Sequence, residues 1–414
     1  MALLAFGSLF IYLYISSSLF FDIVHFFLHQ WSASPYKALR WLSQCHQFHH
    51  LYYNRSLNFN PRYRRPNAWI ALPLEMVCLC AGALVGWLLL LPLAMLTARD
   101  LPSKPLTVNI AVHLIRTSVV IYMNGQDSNH VFYETVPKDP GWLFVGPQFH
   151  ALHHVYPERY MGSVVRIFDW IAGTAYSLKH RNVVITGGSG AFGAAMIRRL
   201  QAEGVRSIRK LKFGEDWTHE NFGQVEKLFS NEGLEEEADI LILAHGTKGM
   251  DAMDANCHTT IRLVQLFLEQ HAHPEPKRGI LKKHPRKKKT LPEIWYVGSE
   301  IELHPAIGGG PELHRYCASK RAFLPYARAL YDDPRLVYRH IVPAAFQSPM
   351  GRAIVSADWA AGVAMWWIRR GAQYVPVTYT GMAYLNFFKF VFWVRPSLNL
   401  IKGDKNMDGA FRFS

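Results

Sequence analysis

Three long apolar stretches fill the first third of the chain, and a different pattern replaces them after residue 180. Ala2 to Phe21 is almost wholly apolar; as a helix it measures about 30 Å, enough to cross a bilayer. It has no basic leader region or small-residue cleavage site, so it predicts a transmembrane helix rather than a cleaved signal. Trp69 to Leu96 is interrupted by Pro73, Glu75 and Pro92, with Gly86 as a turn residue, and reads as one tilted span or as a re-entrant hairpin. Leu106 to Met123 carries His113 and Arg116, and ionisable groups at such depth are costly enough to face a bundle interior. Gln30 to Asn67, with Arg55, Arg62, Arg64 and Arg65, belongs on the cytosolic side by the positive-inside rule. SVVRIFDWIAGTAY, from Ser163, predicts one more amphipathic helix against the membrane.

From Asn182 the pattern is strand and helix in alternation. A short apolar run to Thr186 leads into GGSGAFG and then an amphipathic stretch, Ala194 to Glu203, ending at Gly204. DILILAHG (Asp239 to Gly246) and IWYVGS (Ile294 to Ser299) read as buried parallel strands, and Ala357 to Arg370 as the last helix of this part. Tyr374 to Val394, apolar and aromatic with Lys389 inside, predicts an interfacial or re-entrant helix, with a full span as the alternative. The fold class is therefore an all-α integral-membrane domain, 1–178, joined to an α/β Rossmann-fold domain with a parallel sheet, 179–374, and a membrane-associated segment, 375–414.

Composition changes this picture little. The formal charge is +14, which alone would admit nucleic acid, but a chain with spans points its basic residues at anionic headgroups. HAHPEPKRGILKKHPRKKKT, from His271, is the main basic loop, and no nucleic-acid partner is expected. The five cysteines are not spaced as a disulfide framework or zinc ribbon, which fits a reducing, cytosol-facing compartment.

The candidate chemistry lies at the ends of the apolar segments. His25 and His29 stand one helical turn apart; His46, His49 and His50, and again His150, His153 and His154, are spaced i, i+3, i+4. On helices each set projects from one face. Eight imidazoles exceed the need of one tetrahedral zinc, so the pattern predicts a two-metal site gathered from three helices. His113 and His130 are candidates to extend the set to ten.

The order HxxxH, HxxHH, HxxHH, followed by YPERYMGSVVRIFDWIAGT, resembles the fatty acid hydroxylase and sterol desaturase superfamily over residues 1–176. The resemblance implies a multi-pass membrane enzyme whose eight histidines hold two iron ions, with zinc as the other metal, and use O2 to hydroxylate or desaturate a lipid. A small ferredoxin or cytochrome is the implied electron donor. Only a single span precedes the first histidine pair, where relatives often have more.

In the second half, strand, glycine turn and helix in that order form a dinucleotide site: Gly187 for the turn, Gly190 for approach to the pyrophosphate, Gly193 for helix–strand packing. Thr186, Ser189, Ala244 and Gly246 flank the same groove. Together with YCASK at Tyr316 and Lys320, these motifs resemble the short-chain dehydrogenase/reductase family over about 181–375. The resemblance implies a tetrad in which Tyr316 is the general acid/base, its pKa lowered by Lys320; Ser299 bonds the substrate oxygen; Asn256 supports a proton relay; and Lys320 also binds ribose. Glu300 competes with Ser299 for its place, since Gly308 to Pro311 lengthens the segment before Tyr316. Arg209, Lys210 and Lys212 at the second strand suit a 2′-phosphate, favouring NADP over NAD, with Lys212 as the binding residue.

The two resemblances together imply a bifunctional lipid enzyme, an O2-dependent hydroxylase or desaturase coupled to alcohol/carbonyl oxidoreduction. A fatty-aldehyde to alkane enzyme of the plant wax type, or a hydroxylase carrying a non-catalytic NADP-binding scaffold, are the alternatives.

Overall fold

The computed structural model describes residues 2–98, 100–139, 141–230, 237–272, 290–304 and 310–398. They fall into two compact units, the chain passing from the first to the second after Ser177. Most of the basic loop after His271, and the end of the chain from 399, lie outside the described residues.

The first unit is helical. Its main elements are α1 (Ala2–Gln30), α2 (Lys37–Tyr52), α3 (Leu72–Leu96), α4 (Lys104–Tyr122), α5 (Pro147–Val155) and α6 (Ile167–Ala172). Among the described residues, three helical stretches are long and apolar enough to cross a membrane: Leu3–Ala33, Pro61–Leu96 and Lys104–Tyr122. The second apolar stretch is thus a continuous helix and not a re-entrant hairpin. Gly86 is a packing position, not a turn: a Cβ there would come within 2.7 Å of Ser16 Cβ, and one at Gly82 within 2.7 Å of Phe20 Cβ. This small-xxx-small spacing lets the α1 and α3 backbones close on each other without a hydrophobic driving force. Glu75 on α3 lies 3.7 Å from Arg116 on α4, so two charges expensive in lipid offset each other. The expected amphipathic helix after Ser163 shrinks to the short α6, stopped by Gly173 in the left-handed region. Its Asp169 is buried, accepting hydrogen bonds from the Met161 and Gly162 amides and the Thr174 hydroxyl; a loop tied to one carboxylate replaces the long helix.

The second unit is a doubly wound α/β domain. Six strands, β1 (Asn182–Thr186), β2 (Ser207–Leu211), β3 (Ile240–Leu243), β4 (Glu293–Val297), β5 (Val337–Pro343) and β6 (Tyr374–Val377), form one parallel sheet in the order β2-β1-β3-β4-β5-β6. The helices are α7 (Ala191–Ala202), α8 (Gly223–Phe229), α9 (Thr259–Ala272), α10 (Pro311–Asp332), α11 (Ala357–Arg369) and α12 (Met382–Phe392). β1, β3 and β4 are buried throughout, as strands covered by helices on both faces must be. Strand order reverses between β1 and β3, and in open α/β sheets ligands bind at the carboxyl ends beside that switch.

The C-terminal stretch departs from expectation. Tyr374–Val377 is the edge strand β6, and after Gly381 in the left-handed region only the 11 residues of α12 follow. Such a helix is about 16 Å long, too short to span. Both elements belong to the dinucleotide unit, so no separate C-terminal domain begins at 375 within the described residues.

Across β4 and β5, Glu293 and Arg339 form a buried ion pair at 2.5 Å, with the Trp295 indole N–H also donating to Glu293. Removing one partner strands the other charge in the core. Arg339→Met should therefore destabilise this unit by about 3–5 kcal/mol, whereas Arg339→Met with Glu293→Leu should recover most of the loss. Thermal unfolding of the full chain in detergent checks both; equal losses in single and double variants would refute the pairing.

Candidate metal centre and dinucleotide site

Helix geometry sets out the histidines. α1 carries His25 and His29, α2 carries His46, His49 and His50, and α5 carries His150, His153 and His154. They converge in two groups, His25, His29, His46, His50 and His153, and His49, His130, His150 and His154, with the ligand atoms of each group within 4.8 Å of one another. In the first group Nε2 faces Nε2 at 3.1–3.2 Å, as between His46 and His50 or His153 and His50. In the second, His150 and His130 approach to 3.0 Å, and His154 lies 3.1 Å from both His49 and His150.

Three of the rings have a polar partner on the opposite edge. His25 Nδ1 is 3.3 Å from the Met161 carbonyl oxygen, His153 Nδ1 is 2.8 Å from that of Arg159, and His130 Nδ1 is 2.7 Å from Asp127 Oδ1. Such outer partners fix the tautomer and leave Nε2 as a donor to a metal. Burial holds His46, His50, His150, His153 and His154 well below the ordinary imidazole range, and brings His49 to about 3. The rings are therefore neutral, the ligating form. Inward-facing lone pairs in two buried groups fit two cations with imidazole-rich ligation.

His130 is the ligand candidate that helical spacing did not select, because it lies in an irregular segment; Asp127 three residues earlier was the available signal. His113 joins neither group. It stacks on Tyr14 at 5.3 Å, a helix-packing contact within the bundle. Cys45 is buried nearby on α2 and is not part of either group.

In the second unit, β1 delivers the chain into the glycine turn. Gly187 has φ +65°, and a Cβ there would come within 2.6 Å of the Ala244 and His245 backbone. At Gly193 a Cβ would lie 2.2 Å from the Gly187 carbonyl oxygen. Gly190 begins α7 and its amide donates to that same oxygen at 3.0 Å. No side chain can be accommodated at 187 or 193, and the free amides at the start of α7 form an anion site. Ser189 and Gly190 are exposed at its mouth. Thr186 is fully buried, its hydroxyl 2.6 Å from His245 Nδ1, so it braces the turn from behind. Burial brings that His245 to about 3.

The basic residues of β2 divide differently from expectation. Lys212 Nζ is 3.0 Å from Glu215, its amide donates to Asp216, and Asp216 also pairs with Arg209. Lys210 is the residue beside the turn, its Cγ 3.4 Å from where a Gly188 Cβ would stand. Lys210, not Lys212, is the β2 lysine that lies against the glycine turn.

Asn256, Ser299, Tyr316 and Lys320 gather beyond the ends of β3 and β4. Asn256 Nδ2 donates to the Thr247 carbonyl and to Ser319 Oγ, both at 2.8 Å. Lys320 Nζ donates to the Val297 carbonyl at 2.9 Å and lies 5.8 Å from the Tyr316 ring centre. A Cβ on Gly246 would sit 3.7 Å from that Nζ, so the missing side chain keeps space open there. Ser299 bonds the Tyr316 side chain. Glu300 turns away, its carboxylate accepting from Thr380 Oγ1 at 2.9 Å and the Ala383 amide at 3.1 Å; Ser299 therefore has the place for which Glu300 competed.

One electrostatic expectation is corrected. The Tyr316 phenol is pushed up, not down: burial, then the Glu302 carboxylate, raise it, and the Ser299 bond only partly opposes them. Burial brings Lys320 itself down to about 8, with Glu302 opposing.

No family model matches the chain. The monoglucosyldiacylglycerol epimerase of Synechocystis is 28% identical over 272 residues, 59% of this chain and 61% of that protein's length. Among solved structures, a short-chain dehydrogenase from Burkholderia cenocepacia in complex with NADP is similar over 51% of this chain and 94% of its own, at 16% identity and a TM-score of 0.40. The carbonyl reductase Sniffer of D. melanogaster covers 48% of this chain and 96% of its own, at 15% identity and a TM-score of 0.37. The second unit is a doubly wound parallel α/β domain with a glycine turn after its first strand.

Substituting His130 by Ala should cost about one of two bound metals per chain, as His154→Ala should, while His113→Ala should leave the content unchanged. Elemental analysis of the detergent-purified variants checks this. Equal metal in wild type and His130→Ala would remove it from the ligand set.

Proposed function

We propose that the chain is a multi-pass membrane lipid oxidoreductase with two centres: an O2-dependent dimetal site that hydroxylates or desaturates a lipid, and a dinucleotide site that interconverts an alcohol and a carbonyl on the same class of molecule. The observation that carries this reading is the convergence of nine imidazoles into two buried groups on segments adjoining candidate spans. Iron, when bound there, supplies the redox power that no side chain has for an unactivated C–H bond. The protein's part is to aim the ligand edges inward, through Met161, Arg159 and Asp127 on the opposite ring nitrogens, and to keep bulk water from the buried rings. A ferredoxin or cytochrome is the proposed electron donor, and both sites are proposed to face the cytosol.

In the second unit, NADP(H), favoured over NAD(H) by Lys210 at the turn, supplies or accepts hydride. Tyr316 holds the proton exchanged with the substrate oxygen, Ser299 orients that oxygen, Lys320 binds the ribose, and Asn256, held in place by the Thr247 carbonyl and Ser319 Oγ, supports a proton-relay water. The raised Tyr316 favours its protonated state, which suits proton donation to a carbonyl.

A second reading is favoured by the similarity to the Synechocystis epimerase. Inversion of one sugar carbon on a glycolipid through a ketone would pass a hydride from that carbon to NAD(P)+ and return it to the opposite face, with no net oxidation, while Tyr316 would take and return the hydroxyl proton. Mass spectrometry of lipids exposed to the full chain in proteoliposomes separates the readings. The first predicts a product heavier by one oxygen, or lighter by two hydrogens, that disappears in His153→Ala. The second predicts an isomer of unchanged mass that survives His153→Ala. Under either, Tyr316→Phe should slow the dinucleotide-dependent step by about 10²-fold or more; unchanged turnover would leave the second unit without a catalytic role.

Because Lys320 is charged only below about 8, NADPH affinity should weaken as pH rises through that value. Glu302→Gln removes the carboxylate that supports the ammonium, and should move the midpoint lower. Fluorescence titration of NADPH against pH checks the shift; an unmoved midpoint would dissociate Glu302 from the site.

A further inference from the structure

α12 has two faces of opposite character. Ala383, Asn386 and Phe390 are fully buried in the dinucleotide unit, while Tyr384, Leu385, Phe388, Phe392 and Trp393 are 50–74% exposed. Leu385, Phe388 and Phe392 repeat at i, i+3, i+7, so their side chains form one stripe along the outer side. An aromatic stripe on a short helix, next to Lys389 and the exposed Arg395, is the composition of a helix lying in a lipid–water interface. The three candidate spans place a bilayer on this same chain, and its net charge of +14 complements anionic headgroups.

The inner side of α12 is bonded to the segment that follows Ser299. Glu300 accepts from Thr380 Oγ1 and the Ala383 amide, and so caps a helix whose own N-cap, Gly381, has no side chain to offer. Asn386 Nδ2 donates to the Glu300 carbonyl at 2.7 Å, and Lys389 Nζ to the Leu303 carbonyl at 3.3 Å. Ser299 itself caps the turn Glu300–Leu303 in a reciprocal pair with Glu302. A displacement of α12 therefore pulls on the segment Glu300–Leu303 that follows Ser299, through three side chains.

We propose that the outer face of α12 docks the dinucleotide unit on the anionic lipid–water interface, and that this docking, transmitted by Glu300, Asn386 and Lys389, fixes the segment that positions Ser299. The docking stands on the helix alone; the consequence for Ser299 rests on the dinucleotide reading above. Glu300 is here a positioning residue.

The test uses the full chain in phosphatidylcholine–phosphatidylglycerol vesicles, in a cysteine-free background. A nitroxide at Phe388→Cys should be relaxed more by oxygen than by a nickel chelate, and a control label at Lys227→Cys on α8 the reverse. Amide exchange over 299–304 should be slower in vesicles than in detergent, and Phe388→Glu with Phe392→Glu should abolish that difference while NADPH affinity changes by less than about twofold. A Phe388 label as open to nickel as the control overturns the docking. So does one shielded from both agents, which would mean a protein, such as a second copy, covers the face. Exchange that is the same in vesicles and detergent overturns the coupling. Absence of NADPH binding in wild type would sink the dinucleotide reading and leave the depth result to decide the docking.

Discussion

A neutral imidazole carries one donor and one acceptor, and the first unit is organised around the consequence of burying nine of them nitrogen to nitrogen. Within each group the Nε2 atoms face one another at 3.0–3.4 Å, so the rings cannot all satisfy each other. Charging them would cost more, since each protonated ring would meet its neighbours' like charge in a desolvated site. A metal ion relieves both problems at once, which is why the arrangement is hard to understand as packing alone. The rest of the unit supports it: glycines bring α1 and α3 together, Asp169 holds the loop whose Met161 carbonyl meets His25, and Asp127 orients His130.

The second unit obeys a different constraint, the close approach of backbone to backbone at the sheet's switch point. Gly187 and Gly193 leave no room for a side chain, so the start of α7 lies against β1 and β3 with its amides free for an anion. Beside this turn Lys212 pairs with Glu215 and Arg209 with Asp216, while Lys210 lies against Gly188.

Much of this was legible in the chain. Helical i, i+3, i+4 spacing put eight histidines on three faces before any tertiary information, and the glycine turn followed an apolar strand in the order its chemistry needs. His130 was harder to select because no local periodicity positions it; its place depends on Asp127 and on contact with Tyr53 and His49, all set by the fold. Gly86 was misread as a turn because an isolated glycine in an apolar run looks the same whether it bends a chain or lets another helix approach. Lys212 was preferred over Lys210 because the partner of each lysine is decided by the turn after β2, not by the strand. The C-terminal stretch hid an edge strand and a left-handed glycine inside one apolar run, so a strand and a short helix looked like a single long one.

X-ray absorption at the metal edge of the full-length protein tests the central claim most directly. The account predicts two metal ions per chain with a shell of nitrogen and oxygen ligands showing the multiple-scattering signature of several imidazoles. A sulfur-containing shell, or a purified protein that takes up no metal under reducing, metal-replete conditions, would contradict it.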